Sequence, residues 1–83
     1  MIDSDPELAI NFLKNALFLD PELSIAWNNI GIAYLRSGKD SFAEFSFQSA
    51  FRANREAATP VSNLARYYRD KGNLRLARRY EEA

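Results

Sequence analysis

The chain has 83 residues, no cysteine and no histidine, and its 11 Lys and Arg balance its 11 Asp and Glu. That length makes one small domain, which buries roughly 60–65% of its unfolded surface. The missing residue types exclude disulfides, thiolate metal sites and histidine-based catalysis, so the 47% apolar residues must hold the fold together.

The first predicted helix covers about residues 6–19. Ser4 and Asp5 can cap its free N–H groups, Pro6 fits the first helical position, and Glu7 suits the helix dipole. Leu8, Ala9, Phe12, Leu13, Ala16 and Leu19 fall on one stripe. Asp20-Pro21 ends the helix, because proline disfavours helical backbone in the residue before it. The second helix runs from about Leu23 to Ser37, with Ile25, Ala26, Trp27, Ile30, Ala33, Tyr34 and Leu35 as its apolar positions, and Gly38 stands where a left-handed cap is needed. The third covers about Asp40 to Ala53. Phe42, Ala43, Phe45, Phe47, Ala50 and Phe51 nearly encircle it, which predicts a helix sandwiched between neighbours. The fourth starts at Thr59-Pro60, read as a cap followed by proline, and ends at Gly72; the fifth starts at Leu74. The short connections predict that successive helices pack antiparallel.

Charge is unevenly spread, at −4 over residues 1–51 and +4 over residues 52–83. We read this as a solvated surface, with a C-terminal half suited to acidic ligands as the sharper alternative. No apolar run approaches the ~20 residues of a membrane span. The acidic N-terminus lacks the basic region of a signal peptide. No membrane partner is therefore expected; the location is left open, with the cytoplasm favoured.

Residues recur 34 apart: Ala9, Ala43 and Ala77; Ala16 and Ala50; Asn29 and Asn63; Tyr34 and Tyr68; Gly38 and Gly72. Ile30 and Leu64 keep the same spacing. A fixed period of that length is the mark of a helical solenoid, which presents a concave surface to a partner.

Residues 24–57 resemble one tetratricopeptide repeat. Trp27, Ile30, Gly31 and Tyr34 match the family's first helix, Gly38 its turn, and Ala43, Phe47 and Ala50 its second helix. In such a repeat the small residues let the paired helices approach and the large ones fill the spaces between, so Trp27 is expected to be buried core. Arg55 stands where the family usually has proline, so a looser turn or a longer third helix is expected there. Residues 58–83 resemble a second repeat cut short: Leu64, Ala65, Tyr68, Gly72 and Ala77 match, while Val61 and Glu81 replace aromatic residues. Residues 1–23 resemble the second half of a preceding repeat, through Ala9, Leu13, Ala16 and Pro21. The resemblance implies an all-α, right-handed superhelix of antiparallel helix pairs, with about five helices over residues 1–83. It also implies a fragment of a longer protein.

In this family the first helix of each repeat lines the groove. Carried over, the partner-binding residues are Ile25, Asn28, Asn29, Ile32 and Arg36 on the second helix, and Thr59, Ser62, Asn63, Arg66 and Arg69 on the fourth. Leu35 and Asp70 fall in the same register. An asparagine amide both donates and accepts, so Asn29 and Asn63 suit a peptide backbone; the competing reading is that each satisfies a neighbouring helix. Arg66 and Arg69 share a helix face and suit a carboxylate. Thr59 and Asn63 stand where the family's clamp for chaperone C-termini has basic residues, which argues against such a clamp. The expected function is a protein-interaction module for a peptide or partner segment, including one with acidic groups. The alternative is a structural or oligomerisation segment, dimerising through exposed helix faces around Phe12 and Phe18. No nucleophile–base pair, phosphate loop or ligand cluster is visible, so no enzyme, cofactor or metal is expected. Asp40 and Glu44 are expected to be merely solvated. The C-terminal arginines alone do not support nucleic-acid binding.

Overall fold

The computed structural model describes residues 5–82, which form α-helices and, among those residues, no strand. The helices are α1 (Pro6–Leu19), α2 (Ser24–Arg36), α3 (Asp40–Ala53), α4 (Ala58–Asp70) and α5 (Leu74–Glu81). Their starts follow local chemistry. Asp5 Oδ1 accepts from the Leu8 N–H at 3.1 Å, and Asn73 Oδ1 accepts from the Leu76 N–H at 3.2 Å, each satisfying a free helix donor. Ser4, the other candidate cap, lies outside the described residues. Thr59 does not cap the fourth helix, which begins at Ala58 behind Ala57 with no side-chain cap. Pro60 is then the third helical residue, where a backbone N–H would have no helical partner in any case.

The turns repeat with the sequence. Gly38 and Gly72 have φ of 79° and 82° and close α2 and α4 in the same way. The Lys39 N–H reaches Tyr34 O at 2.8 Å, and the Asn73 N–H reaches Tyr68 O at 2.8 Å. The glycine N–H groups reach Leu35 O at 3.1 Å and Arg69 O at 3.0 Å. This paired closure needs a left-handed residue, which a Cβ disfavours by ~1–2 kcal/mol. The α1–α2 and α3–α4 turns also match. Asp20 Oδ1 and Asn54 Oδ1 each accept from the N–H two residues on, at 3.1 Å. The looser turn expected at Arg55 does not appear, because Asn54 organises the turn without help from a proline. Nor is the third helix longer, since α3 ends at Ala53 just as α1 ends at Leu19, and each has 14 residues.

Each helix packs on its chain neighbour, and α2 also meets α4. At one end of the α2–α3 pair the Ser24 hydroxyl donates to Ala50 O at 2.9 Å; at the other Tyr34 stacks on Phe42 at 5.3 Å. The two helices therefore run antiparallel. They meet closely at Gly31, where an added Cβ would lie 2.6 Å from the Phe47 ring. Ala43 and Ala50 are fully buried in the same seam. The α3–α4 seam is more polar. The Tyr68 hydroxyl donates to Glu44 Oε2 at 2.7 Å and accepts from Gln48 Nε2 at 2.9 Å. The Lys71 ammonium donates to the Asp40 carboxylate, and the Tyr67 hydroxyl donates to Asp40 O at 3.3 Å. Two apolar clusters result, one around Ile10, Leu17 and Ile30 and one around Phe47, Leu64 and Tyr68. Tyr34 packs against both. The Cα radius of gyration is 12.3 Å, close to the roughly 12 Å of a compact chain of this length.

Two expectations change. Trp27 is only partly buried: its indole N–H donates to Pro21 O at 2.8 Å and its ring meets Phe45 edge-on at 5.7 Å. The large ring sealed in the core is Phe47, at 1% exposure. And although α3 does lie between α2 and α4, it is not covered on every side, since Phe42 is 59% and Phe45 54% exposed. A ring of apolar residues about a helix predicts neighbours on every side, and here α1 is not close enough to α3 to cover them.

Phe47→Ala is expected to cost ~3–5 kcal/mol, the range for deleting a buried core ring, and Trp27→Ala distinctly less. Urea denaturation of both variants checks the order; a larger loss at Trp27 would contradict this packing. A second prediction concerns alkali. Burial, and then the hydrogen bond to Glu44, push the Tyr68 phenol well above its usual 10.0. Because the folded value exceeds the unfolded one, this stabilisation is complete below about pH 10 and fades as pH rises through the folded value. The urea midpoint of the wild type should therefore fall more steeply than that of Tyr68→Phe above about pH 10. Parallel pH profiles would show that Tyr68 contributes nothing to alkaline stability.

Candidate functional site

Ile25, Asn29, Ile32 and Arg36 follow one another at helical spacing, so they form one stripe along α2. Ile25 is 66% exposed, Asn29 and Arg36 are exposed, and Ile32 packs partly into the core. Asn29, Ile32 and Arg36 face Ala9, Phe12 and Leu13 of α1 across an open cleft of ≈ 440 Å³. The repeat explains this cleft. Ala9 and Leu13 stand 34 residues before Ala43 and Phe47. That later pair is 0% and 1% exposed, and Phe47 is closed over by Gly31 of α2. No described helix covers Ala9 and Leu13 in the same way, so they remain only partly buried.

The residues proposed on α4 do not all join this stripe. Thr59, Ser62, Arg66 and Arg69 are exposed. Asn63 Nδ2 donates to Asn28 Oδ1 at 2.7 Å, and Asn28 is 5% exposed. This bond joins α2 to α4, so Asn28 belongs to the interior and Asn63 is partly committed to it. The two repeat-related asparagines thus differ in role, Asn29 facing outward and Asn63 bonded inward. The two arginines also part: Arg69 forms an ion pair with Glu81 of α5, whereas Arg66 has no partner among the described residues. A joint carboxylate grip by Arg66 and Arg69 is therefore not preassembled. Asp40 and Glu44, expected to be solvated, instead bond to Lys71 and Tyr68 of α4. Their spacing put them on one helix face, but nothing in their own helix showed that α4 would lie against it.

The face on α2 and α4 offers amide and guanidinium hydrogen bonds beside apolar wall. Ile25 and Ile32, with Phe12 of α1 across the cleft, supply apolar surface, and Asn29 and Arg66 supply polar groups that can donate, the asparagine also accepting. Among the described residues no group of three or more His, Cys, Asp or Glu gathers to hold a metal ion. No buried side-chain nitrogen or oxygen among them lacks a hydrogen-bond partner. No described helix is long and apolar enough to cross a membrane.

No family model matches the chain. It is similar to an uncharacterized protein, ycf37, of Pyropia yezoensis, with 29% identity over 73 residues. The matched segment covers 86% of this chain but 41% of that relative, so the chain spans less than half the relative's length.

Proposed function

We propose that the chain is a tetratricopeptide-type helical repeat segment, a right-handed superhelix in register, that binds an extended or helical peptide along α2 and α4 without catalysing a reaction. The observation that carries this reading is the recurrence of local structure, not only of residue types, every 34 residues. The glycine closures at Gly38 and Gly72 and the turns at Asp20 and Asn54 are built from the same hydrogen bonds. Repeats that stack in register bring their first helices side by side, and α2 does touch α4 through Asn28 and Asn63. Ile25, Asn29, Ile32 and Arg66 are the working face; Ser62 and Thr59 edge it. Arg66 favours a partner with acidic groups.

A peptide selected from a display library against the folded chain is the reagent for the test, and isothermal titration the readout. Asn29→Ala combined with Arg66→Ala should weaken it about tenfold or more, since hydrogen bonds to charged groups are worth ~1.5–3 kcal/mol, while circular dichroism stays unchanged. Asn63 is left intact because removing it would strand the buried Asn28 carbonyl. Full affinity in the double variant would move the site elsewhere.

A second reading, self-association through open helix faces, is favoured by one observation: Phe12 is 69% and Phe18 87% exposed on α1. Exposed apolar patches mark association surfaces, and closed two-fold pairs are the commonest result. Light scattering at tens of micromolar should then give a dimer that Phe12→Asp, Phe18→Asp returns to monomer. A wild-type chain that stays monomeric removes this reading.

A further inference from the structure

The opposite side of α2 carries a second cleft, of ≈ 560 Å³, lined by Leu17 and Lys14 of α1, Trp27 and Tyr34 of α2, and Phe45 and Ser46 of α3. Trp27 and Tyr34 fall across the helix from Asn29, Ile32 and Arg36, so this cleft is separate from the face described above. Its walls are held in place. The Trp27 indole is anchored on Pro21 O at 2.8 Å, and Tyr34 stacks on Phe42 at 5.3 Å.

The internal repeat shows what fits there. Leu17, Tyr34 and Ser46 stand 34 residues before Phe51, Tyr68 and Tyr80. In that later unit the Tyr80 ring stacks on Tyr68 at 5.8 Å and meets Phe51 edge-on at 5.6 Å. An aromatic ring therefore closes the later unit from within. In the earlier unit the corresponding residue is Ser46, whose short side chain turns back to donate to Phe42 O at 2.7 Å. The slot between Leu17 and Tyr34 is left open. Charge distinguishes the two units further. Gln48 of the later unit donates to Tyr68, whereas its counterpart Lys14 is exposed, has no bonded partner among the described residues, and is the one charged residue among those lining the open slot.

We propose that this cleft is a receptor slot for an aromatic side chain of a partner peptide, with a carboxylate beside that ring meeting Lys14. The ring takes the place that Tyr80 occupies in the later unit, against Tyr34 and Leu17, and Trp27 and Phe45 close its side. Quadrupolar packing of this kind adds to the burial of the ring, and Lys14 selects acidic over basic flanks. The proposal does not rest on peptide binding by the α2–α4 face.

The chain has a single tryptophan, so Trp27 fluorescence, excited where phenylalanine does not absorb, reads the slot directly. The probe is the blocked tripeptide acetyl-Asp-Phe-Asp-amide, with acetyl-Asp-Ala-Asp-amide and acetyl-Lys-Phe-Lys-amide as controls. A saturable change is expected with the first peptide and none with the alanine peptide, and weaker binding with the lysine peptide. Lys14→Glu, at an exposed position that does not threaten folding, should weaken the first peptide about threefold, the scale of an exposed ion pair. Ser46→Tyr should fill the slot from within and abolish the response. Equal responses to the phenylalanine and alanine peptides would overturn the proposal, as would unchanged affinity in Lys14→Glu. Self-association that Ser46→Tyr abolishes, without any peptide response, would overturn it too and assign the slot to a second copy of the chain.

Discussion

The close approach of α2 and α3 at Gly31 is the contact on which the rest of the structure depends. An added Cβ there would sit 2.6 Å from the Phe47 ring, so the ring can lie flat against helix backbone only because position 31 carries no side chain. With the helices that close, Ala43 and Ala50 reach zero exposure, and Phe47 becomes the sealed centre of the later cluster. Overpacking such a seam costs ~1–3 kcal/mol, a large part of the stability of a small domain. In the next unit Ala65 stands where Gly31 does, and Glu81 stands where Phe47 does.

That pairing leaves α2 bordering two different clefts. One bears Asn29, Ile32 and Arg36 and looks onto α1 at Ala9, Phe12 and Leu13. The other bears Trp27 and Tyr34 and looks onto α1 and α3 at Leu17 and Phe45. The two sides stay open for different reasons. On the first side no described helix packs on α1 as α2 packs on α3; on the second, α3 is present but its side chain there, Ser46, is short. Where α5 brings Tyr80 onto Tyr68, the earlier unit has Ser46, and where α2 covers Phe47, nothing described covers Leu13. The chemistry of each opening follows from the residues that border it.

The polar seam between α3 and α4 has the opposite character. Asp40, Glu44 and Gln48 lie along α3 and meet Lys71, Tyr67 and Tyr68 of α4. Tyr68 is buried, yet its hydroxyl has both a donor and an acceptor in place, so the desolvation of the phenol is offset by two hydrogen bonds. Such a network fixes one register of α4 on α3 where apolar side chains alone would tolerate sliding. The Asn28–Asn63 bond does the same between α2 and α4.

Local features were legible in the sequence, because local chemistry controls them. Pro6 and Asp5 mark the start of α1, Gly38 and Gly72 the ends of α2 and α4, and the 34-residue spacing the fact that one unit recurs. Ala43, Ala50, Leu64 and Ala77 were recognisable as core by the same spacing, since small residues at fixed intervals are where helices approach. What a side chain meets on another helix was not legible. Asn63 reads like Asn29 along the chain, but only packing decides that it bonds Asn28 while Asn29 faces outward. Arg69 reads like Arg66 until α5 places Glu81 beside it. Asp40 and Glu44 read as solvated acids until α4 arrives with Lys71 and Tyr68. Trp27 reads as sealed core, yet the absence of a neighbour beyond Phe45 leaves it at a cleft wall. Periodicity specifies which residues share a helix face; only the tertiary structure decides which of those faces acquires a neighbour and which remains open to a partner.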